Sequence, residues 1–369
     1  MNGYTSPVLA LRYNILSAFE KANESFQARL QAAVEQGRIS PEIELDERPA
    51  IPVAPKISRE SRDSAPGIRL QVSYLEILWA FIYAWMILYE EGVHKPLLRG
   101  ESPAQIDDRT PLLSRARELF EWALGLRASY TPWPAHLPSP ENYRSSQERW
   151  YGEKANLVFQ EATSFMLVHE FIHAEQRHLD IRAENPPKEI ILELEKDADN
   201  GAFEALVNPM LGDTEKLSRG WAILAALLSS YLVKGESIAK QPTTHLPLHH
   251  RLEHMLRGLN FEGEAERSYF EYLISSVLRH ILHRDLDAQS PSVFDTAADA
   301  LTDKLDRLDG LSHNPCSYPL VSARSAHQGR IRKTVTLRTQ SNVISQPAGI
   351  SAERDKPEPS STASTPLFS

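Results

Sequence analysis

The chain has a single cysteine, Cys316, among 369 residues. One thiol excludes an intramolecular disulfide and a Cys-rich zinc finger. It suits a reducing compartment, so a cytoplasmic location is expected. An excess of positive charge is also missing: 40 Lys and Arg stand against 49 Asp and Glu, a formal net charge of −9. That balance argues against a nucleic-acid partner. Met1 to Leu11 lacks the basic start and apolar core of a secretory signal. Long apolar runs are absent too. Val72 to Tyr89 contains Glu76, and Trp221 to Val233 contains Ser229 and Ser230. Both uninterrupted stretches fall short of the roughly 18–20 apolar residues that cross a bilayer. They read as buried core helices, and no membrane span is expected. Large apolar residues become scarce after Leu311, where Ser, Thr, Pro, Arg and Gln dominate. Such a segment buries too little surface to offset ordering entropy, so 312–369 is expected to be a disordered tail. One short β-like run, Arg330 to Leu337, lies within it.

What is present is concentrated in His169-Glu170-Phe171-Ile172-His173, an H-E-x-x-H pattern in a segment of helical periodicity. Helix positions four apart lie one above the other, so both imidazoles leave one face. Two neutral imidazoles make half of a tetrahedral zinc site, and Glu170 between them is set to take a proton from an activated water. At about 100° per residue, Val158, Ala162, Phe165, Met166 and Ile172 share the stripe of His169 and His173, so the rings point inward. Burying them without partners is costly. A shared metal removes that cost, and so would ordinary hydrogen bonds.

The next segment, from Pro186 onward, is again helical. Ile191, Leu194, Ala198, Ala202, Ala205 and Leu206 form one apolar arc. Glu195 and Asp199 fall inside the arc, whereas Glu193, Asp197, Asn200 and Glu204 fall opposite. Acids on a buried face need partners. Zinc would suit Glu195, and Asp199 would accept the N–H of a ligand imidazole. An internal salt bridge is the other reading.

A helix with H-E-x-x-H followed by one with E-x-x-x-D resembles the gluzincin metallopeptidases. The resemblance implies zinc ligands His169, His173 and Glu195, with Glu170 as general base and Asp199 orienting a ligand. Thr243 to Leu252, with His245 and Arg251, is similar to a segment of HtpX-like peptidases, with Leu246 standing where those have Pro. That similarity implies a transition-state role for His245, with Arg251 or a nearby Tyr as substitutes; a polar helix start is the alternative for His245. Ser73 to Trp79, Leu119 to Leu124, Tyr130 to Pro134 and Leu137 to Pro140, running into Ala155 to Leu157, resemble the Lit-type phage-exclusion peptidases of bacteria. Members of that group cut a translation factor during phage infection. The resemblance covers roughly 70–260 and implies a protein substrate, a translation or regulatory factor.

The expected fold is mainly α, a zincin-like helical core with few short strands. Residues 1–67 read as an N-terminal helix and a Pro-rich loop, 68–311 as the helical peptidase domain, and 312–369 as the tail. Within this plan Arg69 to Ser73 is a strand and the candidate edge for holding an extended substrate. Ser73-x-x-Glu76 is a capping box opening a Tyr74–Glu91 helix. Further helices are expected over Leu112–Arg127, Trp221–Val233, Pro247–Gly258, Glu262–Arg284 and Phe294–Leu308. The functional expectation is a zinc-dependent endopeptidase in phage defence or stress response. The alternative is a non-catalytic regulatory or interaction protein whose metal site is structural or absent.

Overall fold

A computed structural model describes residues 4–61, 63–100, 110–234, 245–285, 301–302, 304–305 and 333–336. The fold is mainly helical with one small sheet, as the hydrophobic patterning indicates. A short 3-10 turn (Pro7–Leu11) leads into α1 (Arg12–Glu20) and α2 (Phe26–Glu35). Strands β1 (Glu42–Asp46), β2 (Lys56–Ser58) and β3 (Gly67–Gln71) follow. Then come α3 (Val72–Tyr89), a π turn (Glu90–His94) and α4 (Lys95–Leu98). The rest is α5 (Pro111–Gly125), α6 (Ser146–Glu175), α7 (His178–Ala183), α8 (Lys188–Leu206), α9 (Asp213–Lys234), α10 (Leu248–Leu259), α11 (Glu264–Asp285) and β4 (Lys333–Thr336).

The sheet runs in the order β2-β3-β1-β4. β1 and β3 are parallel, with Ile43 opposite Ile68 and Leu45 opposite Leu70. All four of those side chains are buried, as period-two alternation requires of a half-covered sheet. β2 runs antiparallel to β3, and β4 antiparallel to β1. Two sequence expectations change here. Arg69 lies in β3, an inner strand flanked on both sides, so an extended ligand cannot add to it; the edge strand beside it is β2. Lys333–Thr336, inside the segment expected to be disordered, is an ordered strand. The remainder of 312–369, Cys316 and most of Phe294–Leu308 lie outside the described residues.

The capping box at Ser73 does not form. Val72 is apolar and buried, so the helix begins there with Gln71 as its cap. Ser73 falls inside the first turn with its hydroxyl unbonded, and Glu76 accepts instead from the Tyr4 hydroxyl at 2.8 Å. Every residue of α3 is buried. The helical run from Val72 continues through the π turn to Leu98, so it is longer than its apolar stretch suggests. By length and composition it is the one helix among the described residues able to cross a membrane, and its apolar window is wholly covered by the rest of the fold.

α6 is the central element, packed by α1, α3, α8 and α9. Ser145 caps it, its Oγ accepting from the Glu148 N–H at 3.1 Å. From Ala162 to Ala174 every residue but Glu170 is buried. Phe159, Leu167, Val168 and Phe171 are fully covered, each contributing about 1.5–3 kcal/mol on the scale for apolar side-chain burial. That packing makes α6 a stiff base for any site on its surface. α8 crosses it closely at Gly201, where a Cβ would stand 2.9 Å from the Ile172 side chain. The small residue brings the acids of α8 against the imidazoles of α6.

Candidate active site

His169 and His173 are buried on α6, and Glu195 is buried on α8. The helical spacing of the two segments predicts this placement; Glu193, Asp197 and Glu204 are exposed as the same spacing predicts, whereas Asn200, expected on that face, is half-buried with its Oδ1 covered. His169 Nε2 is 3.2 Å from His173 Nε2 and 3.4 Å from Glu195 Oε2. His173 Nε2 is 3.7 Å from Glu195 Oε1. His245, just before α10, brings its Nε2 to 2.8 Å from Glu195 Oε2 and lies nearly parallel to the His169 ring. His169, Glu195 and His245 offer three ligand atoms within 4.8 Å of one another, a cluster able to hold a metal ion. The sequence-predicted set has His173 in place of His245; all three imidazoles lie beside the Glu195 carboxylate. Thr243 and Thr244 lie outside the described residues.

Behind these groups sits a second layer. His169 Nδ1 is 3.0 Å from Asp199 Oδ1. Asp199 is gripped by Arg251 through two bonds of 2.7 Å, from Nε to Oδ2 and from Nη2 to Oδ1. Burial pushes the Asp199 pKa up, but the Arg251 charge and the His169 contact outweigh it and hold the carboxyl well below its usual range. Arg251 therefore has both Nε and Nη2 committed to Asp199. Its geometry is that of an anchor for that carboxylate.

Glu170, beside His169 on α6, also reaches the sheet. Its Oε2 accepts the Ile57 N–H of β2 at 2.7 Å. Burial raises its pKa, opposed by the His169 charge, the Ile57 N–H and Arg182. A carboxylate of raised basicity is suited to proton transfer near neutrality.

Four participants were not singled out by sequence: Ile57, Gln176, His178 and Arg182. Arg182 on α7 donates to Glu195 Oε1. His178 is buried, its Nδ1 2.8 Å from His173 Nδ1, and its Nε2 is 2.8 Å from Gln176 Oε1. A third histidine so soon after H-E-x-x-H was the available signal for His178. The Ile57 contact uses a backbone group and leaves no signature in side-chain identity.

His173 has its pKa lowered to about 2 by burial, with the His169 and Arg182 charges adding to the effect. His178 is lowered to about 4 by burial and by His173. The unfolded chain takes up these protons near the ordinary value of 6.5, whereas the fold refuses them until far lower pH. Stability therefore falls as pH drops below about 6.5 and continues to fall toward the folded values, with no such loss above that pH. Metal-free protein should melt at a clearly lower temperature at pH 5 than at pH 7.5. Equal midpoints would contradict the neutral, buried imidazoles.

The sequence model of a family described as Peptidase U49 matches residues 68–273, more than half of the chain and all of α3 to α10. No curated protein matches, and no solved structure matches.

Proposed function

The chain belongs to the Peptidase U49 family, and we propose that it hydrolyses peptide bonds within a protein substrate with zinc as its cofactor. The observation that carries this reading is the convergence of imidazole nitrogens on one carboxylate. Asp199 stands 3.0 Å from His169 Nδ1, and His173 Nδ1 is hydrogen-bonded to His178. The two Nε2 atoms are left facing each other at 3.2 Å beside Glu195. With both Nε2 atoms bare, two lone pairs and a carboxylate at such distances repel one another, and a cation among them relieves that repulsion. Two imidazoles and a carboxylate are the donor set of hydrolytic zinc centres, with a fourth position left open. His169, His173 and Glu195 are the proposed ligands. His245, the most exposed of the four groups at 41 %, stands on the open side, where it would donate to the developing oxyanion.

Bound there, zinc would supply Lewis acidity, lowering the pKa of a water and polarising the scissile carbonyl. Glu170 accepts the proton of the attacking water and later delivers it to the leaving amine. The Ile57 N–H keeps its carboxylate aimed during both transfers. Asp199, clamped by Arg251, holds the His169 ring. A bacterial phage-defence or stress role, with a translation or regulatory factor as target, follows from the Lit-type resemblance and belongs to this proposal. The test is to compare new protein N-termini in cells expressing wild type and Glu170→Gln. Termini that depend on Glu170 would identify the substrate; identical sets would count against a peptidase acting on cellular proteins.

One observation favours a second reading. Arg182 already places a positive charge on Glu195, so the cluster is also intelligible as a metal-free polar network in a regulatory protein. Metal content separates the two.

A further inference from the structure

We infer that His178 is a positioning residue which, together with Gln176, sets the tautomer of His173 so that its Nε2 lone pair faces the cation site. The inference rests on the metal-site reading above and extends it to groups that touch neither metal nor substrate.

The backbone creates the contact. α6 ends at Glu175, and Arg177 adopts the left-handed conformation, with φ 59° and ψ 32°. That conformation is unfavourable for a residue with a Cβ. Here it reverses the chain in one residue and sets His178, 2 % exposed, behind the His173 ring. The ring centroids are 5.0 Å apart and the planes 69° from parallel, so the contact is edge-on through nitrogen.

The hydrogen assignments then follow from the outside inward. Gln176 Oε1, 2.8 Å from His178 Nε2, is an acceptor only, so His178 Nε2 carries the hydrogen. A neutral imidazole has one N–H, so His178 Nδ1 is bare and accepts. At 2.8 Å from it, His173 Nδ1 must donate. A neutral His173 that donates through Nδ1 has a bare Nε2, on the side of Glu195. Behind His169 the neighbour is a carboxylate, Asp199 Oδ1 at 3.0 Å, a charge contact without the alignment of a hydrogen bond. The two rings are thus backed by unlike partners, one charged and one neutral. His178 has both nitrogens engaged away from Glu195, which excludes it as a ligand despite its nearness to the motif in sequence.

Full-length wild type, His178→Phe, Gln176→Glu and Gln176→Lys provide the test. Gln176 is exposed, so its variants probe the relay without disturbing the core, even if His178→Phe fails to fold. Zinc affinity is measured by competition with a chromophoric chelator. The protonated nitrogen of His173 is read in metal-free protein by long-range proton–nitrogen NMR on 15N-histidine. Wild type and Gln176→Glu should show a bare His173 Nε2 and similar affinity. His178→Phe, lacking the acceptor, and Gln176→Lys, which reverses the outer hydrogen bond, should move the hydrogen to Nε2 and weaken zinc binding by about 10- to 100-fold. A protonated Nε2 in wild type, or an unchanged tautomer and affinity in both His178→Phe and Gln176→Lys, would overturn the proposal. If wild type binds no zinc, the metal-site reading fails, and the tautomer measured without metal still decides the relay.

Discussion

Glu170→Gln should lower turnover of a protein substrate by about 10²- to 10⁴-fold, the contribution of a positioned general base, while the purified variant keeps its metal. The substitution preserves volume, and the new amide oxygen still accepts the Ile57 N–H that Glu170 accepts at 2.7 Å. What it removes is basicity. The carboxylate of Glu170 is held above its ordinary pKa by burial, whereas an amide takes no proton at any working pH. The substitution leaves the shape of the site unchanged, so the loss should appear in kcat and not in KM. Because Glu170 is not among the groups gathered on Glu195, metal content should stay at the wild-type level. Full turnover in the variant would remove Glu170 from the mechanism. Loss of metal along with activity would instead make Glu170 part of the cation site.

Arg251→Met should be the most destabilising change at the site, by about 3–5 kcal/mol, the cost of stranding one member of a buried ion pair. Arg251 and Asp199 are only 10 % and 13 % exposed in their side chains, and both oxygens of Asp199 are bound by the guanidinium. Without it, burial acts on Asp199 with only His169 in opposition. The sign with pH is then determined. In wild type the depressed Asp199 pKa contributes stability above the unfolded value of 3.8, lost as pH falls through the folded value. In the variant the folded pKa rises, and stability present at acid pH is lost as pH rises through it. The deficit of Arg251→Met should therefore be larger at pH 7 than near pH 4. Denaturant unfolding at both pH values measures it, and adding Asp199→Asn should recover part of the loss. A deficit below 1 kcal/mol, independent of pH, would show that the pair is effectively solvated.

The legibility of the site in sequence follows from how each part is built. His169, Glu170 and His173 are contiguous on one helix, where spacing alone gives direction. Glu195 and Asp199 were legible because helical periodicity separates acids on a buried arc from acids on a wet one, and Glu193, Asp197 and Glu204 are indeed exposed. His178 escaped because a single left-handed residue, Arg177, breaks the periodicity on which facing is inferred. Ile57 escaped because a backbone N–H on a three-residue strand in a Pro-rich stretch has no pattern to betray it. Arg251 was found by its motif, but its pairing with Asp199 was not, since sequence does not show which acid a cation will meet. In the fold, the helices of the core were readable from apolar spacing. The start of α3 was not, because the buried Val72 competes with a plausible cap at Ser73. Nor was the place of Lys333–Thr336, since a short strand is determined by the partner it meets, here β1.

The central claim is that His169, His173 and Glu195 surround a resident cation. The most direct measurement is the metal content of the full-length protein, purified without chelators and analysed by plasma mass spectrometry beside Glu195→Gln and Asp199→Asn. The account predicts close to one zinc per chain in wild type, loss of most of it in Glu195→Gln, and weakened retention in Asp199→Asn. Wild-type protein that carries no metal and takes up no zinc on dialysis would contradict it and leave the cluster as a polar network neutralised by Arg182.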